Sequence, residues 1–416
     1  MLIPEPRAEP ESRERSLLAE WDFGWLWWGQ LVSQVGDGIT RLALLWFVYS
    51  VTGSALQTTV VGLLQTLPPV IFGPLIGVYL DRLPKRSLMI ASDLLRMLII
   101  GLVPWAIPPQ SLTVEYLFGL IFLNSIAAAV FGPAMIAAVP FIVSRDRCTA
   151  ANALLQVTSS IGVVVGSALS GVGIAALSSQ KVLGVNALTY LTSAACLLFV
   201  RIPRIDPART ASSQWQSAIA DLVEGIRYAF VQQPLILQLM LTAALYSFGM
   251  SAFSTLFPIL GKNRLGLGPA EVGYLWSSLG IGILAVSMGL VRVGVWRVAA
   301  RVRTIALSSV ISALCLGGLL FTLNRLVVAG LLCLIGAGIG LFTPIAWGVL
   351  QEVAPPAMIG RLLTLYGAVA MGAAMLGMTI LAWVMQKLGS DATVLATSLA
   401  LLVTAGMAGR LGRRMS

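Results

Sequence analysis

Along almost the whole chain, long apolar runs alternate with short segments that carry Gly, Pro and charge. An α-helix rises about 1.5 Å per residue, so crossing a hydrocarbon layer of about 30 Å takes roughly 20 mainly apolar residues. Runs of that kind are read over 24–50, 56–80, 87–106, 113–140, 151–177, 182–201, 234–260, 269–291, 304–322, 326–351, 360–384 and 392–409. The pattern predicts an all-α membrane protein with twelve transmembrane helices.

The longest polar connection separates the sixth run from the seventh, which divides the chain into a 24–201 half, a 202–233 linker and a 234–409 half, with tails at 1–23 and 410–416. Within the linker, Trp215, Ile219, Leu222, Val223, Ile226 and Phe230 recur with a 3.6-residue rhythm, so a helix lying along the membrane interface or packed on the bundle is expected there. "VGLL" at Val61 and "VGYL" at Val272 open comparable helices in the two halves, and this alignment sets Asp81 opposite Arg292. Two six-helix halves around a central cavity is the plan of a secondary transporter.

Composition narrows the class. With 416 residues, 57% hydrophobic and 11% charged, and a mean hydropathy of +0.89, a soluble domain of this length is excluded. The net charge of +10 reflects topology: twenty of the 27 Lys and Arg residues fall on the side that carries both tails, and five fall on the other. Positive charge accumulates in short cytoplasmic loops, so both termini are expected in the cytoplasm, with the protein in the inner membrane. No basic run interleaved with aromatics forms a nucleic-acid surface. Four widely spaced cysteines, no histidine and no Cys-x-x-Cys give no metal site or disulfide framework, and no cofactor is expected. The chain has neither a His-based nucleophile pair nor a Walker-type phosphate loop, so an enzyme, including an ATPase, is not expected.

Charge inside the apolar runs is rare and therefore informative. Asp37 lies within the first helix, where a charged side chain costs about 2.5–3.5 kcal/mol on insertion scales and reads as functional by default. Gln30, Gln34, Asp37 and Arg41 share one narrow stripe of that helix. Two readings of the stripe stand open. Asp37 can exchange a proton while Gln30 and Gln34 hold substrate and Arg41 moderates the acid or binds an anionic group; or Asp37 and Arg41 can form a permanent intrahelical ion pair. Trp21, Trp25, Trp27 and Trp28, at the start of the helix, read as an interfacial aromatic belt.

The loop "GVYLDRLPKR" resembles the Gly-x-x-x-Asp-Arg-x-x-Arg/Lys-Arg signature of the major facilitator superfamily, matched by Gly77, Asp81, Arg82, Lys85 and Arg86. The resemblance implies that this loop latches the two halves on the cytoplasmic side, and Asp93 with Arg96, three residues apart, extends the same network. "FGPAMIAAVPFIVSRDRCTAANALLQ", "DLVEGIRYAF" and Gly360-Arg361 are similar to a branch holding enterobactin-type siderophore exporters and macrolide efflux proteins. The fifth helix departs from many drug antiporters by reading Gly166-Ser167 where they carry Gly-Pro, while Gly162, Gly166, Gly171 and Gly173 offer a small-residue packing surface. The family's plan has helices 1, 4, 7 and 10 lining the cavity, which implies substrate contact by Asn124, Tyr246, Trp347 and Gln351. The expectation is a monomeric proton-coupled exporter of an amphipathic siderophore or drug, in contact with membrane lipid. A lipid or lysophospholipid flippase of the same fold is the nearest alternative, and a non-transporting scaffold or receptor is the alternative of another class.

Overall fold

The computed structural model describes residues 17–80, 83–106, 113–143, 148–177, 179–202, 227–228, 233–292, 297–353 and 359–414. Asp81, Arg82 and nearly all of the 202–233 linker lie outside them. Among the described residues there is no strand. The helices are α1 (Trp21–Thr52), α2 (Ala55–Leu80), α3 (Lys85–Ala106), α4 (Val114–Ile142), α6 (Ser179–Phe199), α7 (Pro234–Leu265), α8 (Pro269–Arg292), α9 (Val298–Gly318) and α10 (Arg325–Val353). Between α4 and α6, α5 comprises Cys148–Ile161, a π turn over Gly162–Gly166, and Ser167–Leu177. The last helical stretch, Ile359–Arg414, breaks at Gly389, whose φ of 86° ends α11 and begins α12.

Ten of the described helices are long and apolar enough to cross a membrane. Two features of the sequence explain the difference from twelve. The window Leu365–Arg413 covers both α11 and α12, and α3 carries Lys85, Arg86, Asp93 and Arg96. The expected 360–384 and 392–409 runs are separated by Gly389 alone, because glycine adopts a positive φ without a side-chain clash. Gly53 (φ 62°) ends α1 in the same way, with its N–H bonded to the Tyr49 carbonyl.

Close helix contact is made where Cβ atoms are missing. A Cβ on Gly162 would lie 2.5 Å from the Gln34 carbonyl oxygen, and one on Gly166 would lie 2.6 Å from that of Val35. These glycines, with Gly38 on the facing side, let α5 touch the α1 backbone, and the helical hydrogen bonding loosens into a π turn along the same stretch. Gly166→Val should therefore force α1 and α5 apart and cost about 1–3 kcal/mol, read as a lower unfolding temperature of the detergent-solubilised protein.

The tryptophans at the start of α1, expected as one belt, divide into exposed and buried members. Trp21 and Trp28 are exposed, but Trp27 is buried and its Nε1 donates to the Leu154 carbonyl of α5 at 3.1 Å. A buried indole N–H needs a partner, and a backbone carbonyl of the neighbouring helix supplies it. On the same side of the bundle, Asp22 accepts from the Arg201 backbone N–H at 2.7 Å, and Arg86 Nε donates to the Leu197 carbonyl at 2.9 Å. The starts of α1 and α3 are thereby tied to the end of α6; this is termed the near side below.

Candidate transport site

Three helices of the first half bring charge together inside the bundle. Arg96 on α3 donates from Nη2 to Asp37 Oδ1 on α1 at 2.6 Å and to Tyr190 Oη on α6 at 2.8 Å, with its guanidinium carbon 4.0 Å from the Tyr190 ring centroid. The Tyr190 hydroxyl donates to the same Asp37 oxygen in a short hydrogen bond. Asn186, one helical turn from Tyr190, donates to Tyr190 Oη at 3.1 Å and to Thr40 Oγ1 at 2.7 Å. The absence of a side chain at Gly36 makes room for this, since a Cβ there would sit 2.1 Å from both Asn186 Oδ1 and Thr189 Oγ1. Asp93, three residues before Arg96, is fully buried with Oδ1 at 3.6 Å from Arg96 Nη1. Charge-assisted hydrogen bonds of this kind are strong and directional in a low-dielectric interior.

The partner of Asp37 is thus Arg96, and no ion pair between Asp37 and Arg41 is formed. The i, i+4 spacing put the acid and Arg41 on one stripe, but α3 and α6 supply better-placed donors. The i, i+3 pair of Asp93 and Arg96 exists and joins this interior network; the expected link from it to Asp81 and Arg82 lies outside the described residues. Tyr190, Asn186 and Thr40 were not singled out from the sequence. A polar stripe of Asn186, Thr189, Tyr190 and Ser193 on one helix was the available signal.

Arg41 faces elsewhere. Its side chain is exposed and, with Gly38 and Leu45 of α1, Val163 and Ser167 of α5, Pro258 of α7 and Trp276 of α8, lines a narrow cleft between the halves. Gln30 is buried with its Oε1 unpartnered, and Gln34 backs onto Gly162. On α4 the side-chain oxygen of Asn124 is buried without a hydrogen bond. Tyr246 of α7 is buried and stacked on Phe342 of α10, centroids 3.7 Å apart and planes 5° from parallel. Trp347 of α10 is half-exposed; Gln351 is one turn further along, and the two were expected to act as a pair. Of the loop signature, Gly77 lies within α2, Lys85 is buried at the start of α3, and Arg86 caps α6.

On the side opposite the chain ends, the far side, the halves are joined. Asn263 Nδ2 of α7 donates to Tyr49 Oη of α1 at 2.7 Å, and Lys262 Nζ lies 5.3 Å from the Tyr49 ring centroid and 5.8 Å from that of Trp46. Tyr49, Ala252, Leu256, Leu381 and Met385 form an apolar cluster from both halves. Glycines again set the distance: a Cβ on Gly273 of α8 would lie 2.5 Å from the Ser167 carbonyl oxygen of α5, and Ser277 Oγ donates to the Val164 carbonyl at 2.6 Å. Gly273→Val should therefore wedge α5 from α8 and favour a conformation open on the far side. A spin-label pair across this contact should report a longer distance in the variant than in the wild type.

Comparison with known proteins agrees with this architecture. The family model described as Major Facilitator Superfamily matches residues 26–378. "Macrolide efflux protein A" of Streptococcus pyogenes is 23% identical over 364 residues, covering 88% of this chain and 89% of that one. "Multidrug efflux pump Tap" of Mycolicibacterium fortuitum is 27% identical over 393 residues, covering 90% and 91%. A crystal structure of the peptide transporter POT in complex with sulfate superposes with a TM-score of 0.75 at 14% identity, covering 97% and 96%, a likeness of fold alone. A match over most of the chain, two packed halves with a cleft between them and an ion pair buried in the bundle lead to one conclusion: the chain belongs to the Major Facilitator Superfamily and is a membrane transporter, not an enzyme.

Proposed function

We propose that this protein exports amphipathic drug-like molecules in exchange for protons, by rocking of its two halves around the cleft that contains Arg41. The observation that carries the reading is the Asp37–Arg96 pair: an acid within an apolar bundle, bonded to an arginine from another helix and still one-third exposed. Such a group can take up a proton from a water-filled cleft, and doing so cancels the charge that holds Arg96. The relatives bearing efflux names support the outward direction and a drug substrate. The positive-inside bias favours both termini in the cytoplasm of a bacterial cell, so the far-side seal would face outward and the conformation described would load from within. A single chain suffices for this cycle, as expected for a monomer in contact with lipid.

Substrate contact is assigned to the cleft. Arg41 offers a cation and Trp276 an aromatic face, beside Leu42, Leu45 and Pro258. A molecule with an apolar body and an oxygen-rich anionic group, such as a catecholate siderophore, fits this lining, as does a neutral macrolide using the apolar walls alone. The planar fork of Arg41 matches paired oxygens in a way that an ammonium does not. Arg41→Lys should reduce transport of a catecholate or carboxylate substrate roughly tenfold, equivalent to about 1.4 kcal/mol, and affect a neutral macrolide much less. Inverted vesicles with matched amounts of protein, loaded with each substrate in turn under an imposed pH gradient, provide the test. Equal, mild losses would remove Arg41 from substrate recognition.

A further inference from the structure

Arg96 has two carboxylates within reach and bonds only one. Asp37 Oδ1 receives both the Arg96 guanidinium and the Tyr190 hydroxyl, whereas neither oxygen of Asp93 receives any hydrogen bond, although Asp93 has no exposed surface and Arg96 Nη1 is 3.6 Å away. The neighbouring polar group on α6 is the Ser193 hydroxyl, near enough to act on the Asp93 carboxyl but not aligned in a well-formed hydrogen bond to it. The charged and titratable groups on the packed elements are few. Asp37 and Arg41 are on α1, with Asp22 at its start. Lys85 and Arg86 begin α3. Lys181 and Tyr190 are on α6, and Glu115 and Tyr116 are at the far-side start of α4. Of these, Arg96 and Asp37 act on Asp93. Two ionised carboxylates and one guanidinium would leave an uncompensated negative charge in an apolar interior, and a carboxylate without donors is the costlier place for it.

We infer that Asp37 and Asp93 share one proton and one arginine: Asp93 holds the proton in this conformation, and Arg96 passes to Asp93 when Asp37 is protonated. The exchange balances. A proton bound at Asp37 neutralises its carboxylate and frees Arg96 Nη2; when the halves rock and water reaches Asp93, Arg96 pairs with it and its proton passes to that water, so the set returns to one neutral acid and one ion pair. The 3.6 Å gap between Arg96 and Asp93 closes by a rotation of the guanidinium within α3's own side-chain reach. Asp93 thereby becomes a second proton site, with no exposed surface here, while the partly exposed Asp37 is the site open to proton exchange. This rests on the proton-coupled reading above.

Infrared spectroscopy on the full-length protein in lipid vesicles at neutral pH tests it. Wild-type protein should show the carbonyl band of one buried, protonated carboxyl group. In Asp37→Asn, Arg96 has only Asp93 to pair with, so that band should vanish, a response that a merely structural Asp93 would not give. Persistence of the band in Asp37→Asn, or its absence from wild type, would overturn the shared-proton couple. In transport, Asp93→Asn should lose substrate accumulation driven by a pH gradient at least tenfold while retaining substrate exchange. Wild-type accumulation by Asp93→Asn alongside a failing Asp37→Asn would leave Asp37 as the sole proton site and refute the couple alone. Accumulation by wild type that ignores the pH gradient altogether would instead overturn the proton-coupled reading.

Discussion

Arg96→Gln is expected to leave little folded protein. The guanidinium is buried with Asp37 and Asp93 on either side, and Tyr190 and Asn186 are oriented around it. Removing one partner of a buried ion pair typically costs about 3–5 kcal/mol, because the remaining charge has been taken out of water without compensation. Against a typical total stability of about 5–15 kcal/mol, a loss of that size is severe. Arg96→Lys keeps the charge but loses the planar guanidinium over the Tyr190 ring and the second nitrogen that faces Asp93, so intermediate recovery is expected. Size-exclusion profiles and unfolding temperatures of the detergent-solubilised variants check this ordering. Wild-type stability in Arg96→Gln would mean that the acids do not depend on this cation.

Asp37→Asn is expected to fold, to exchange substrate across the membrane, and to lose gradient-driven accumulation by a factor of at least about ten. The asparagine is nearly isosteric and can still accept from Arg96 and Tyr190, while Asp93 remains as the counter-charge. What disappears is the ability to gain and lose a proton. A driving force shifts a conformational equilibrium only through differential binding to its states, so a variant that binds no proton receives no work from the gradient. Counterflow and gradient-driven assays in the same proteoliposomes separate the two activities.

Much of the architecture was readable because a membrane imposes it. Apolar runs of fixed length predicted the helices, and Gly162, Gly166, Gly171 and Gly173 predicted a close-packed face, where the structure places Gly171 against the α8 backbone at Pro269 and Ala270. Asp37 stood out because a lone acid in an apolar run is costly. Its partner was not legible. Periodicity reports which residues share a face of one helix, and it made Arg41 the natural neighbour; Arg96 comes from a helix nearly 60 residues away, brought alongside by packing that single-helix spacing does not encode. Arg96 was visible as a charge three residues from Asp93, and was grouped with Asp93 and the Gly77–Arg86 loop, not with Asp37. Tyr190 and Asn186 were hidden for another reason: both are ordinary residues in a membrane helix, and the close approach of that helix to α1, with Gly36 against Asn186 and Thr189, is not written in either segment alone. Trp27 shows the same limit, since a tryptophan at a helix start serves equally as belt or core until its neighbour is known.

The central claim is that substrate leaves as protons enter through the Asp37–Arg96 site. Proteoliposomes containing a trapped pH-sensitive dye, with a pH gradient imposed and then challenged with a macrolide or a catecholate siderophore, measure it directly. Addition of substrate should accelerate collapse of the gradient in wild type and leave it unchanged in Asp37→Asn; substrate movement in wild type with no accompanying proton flux would contradict the account.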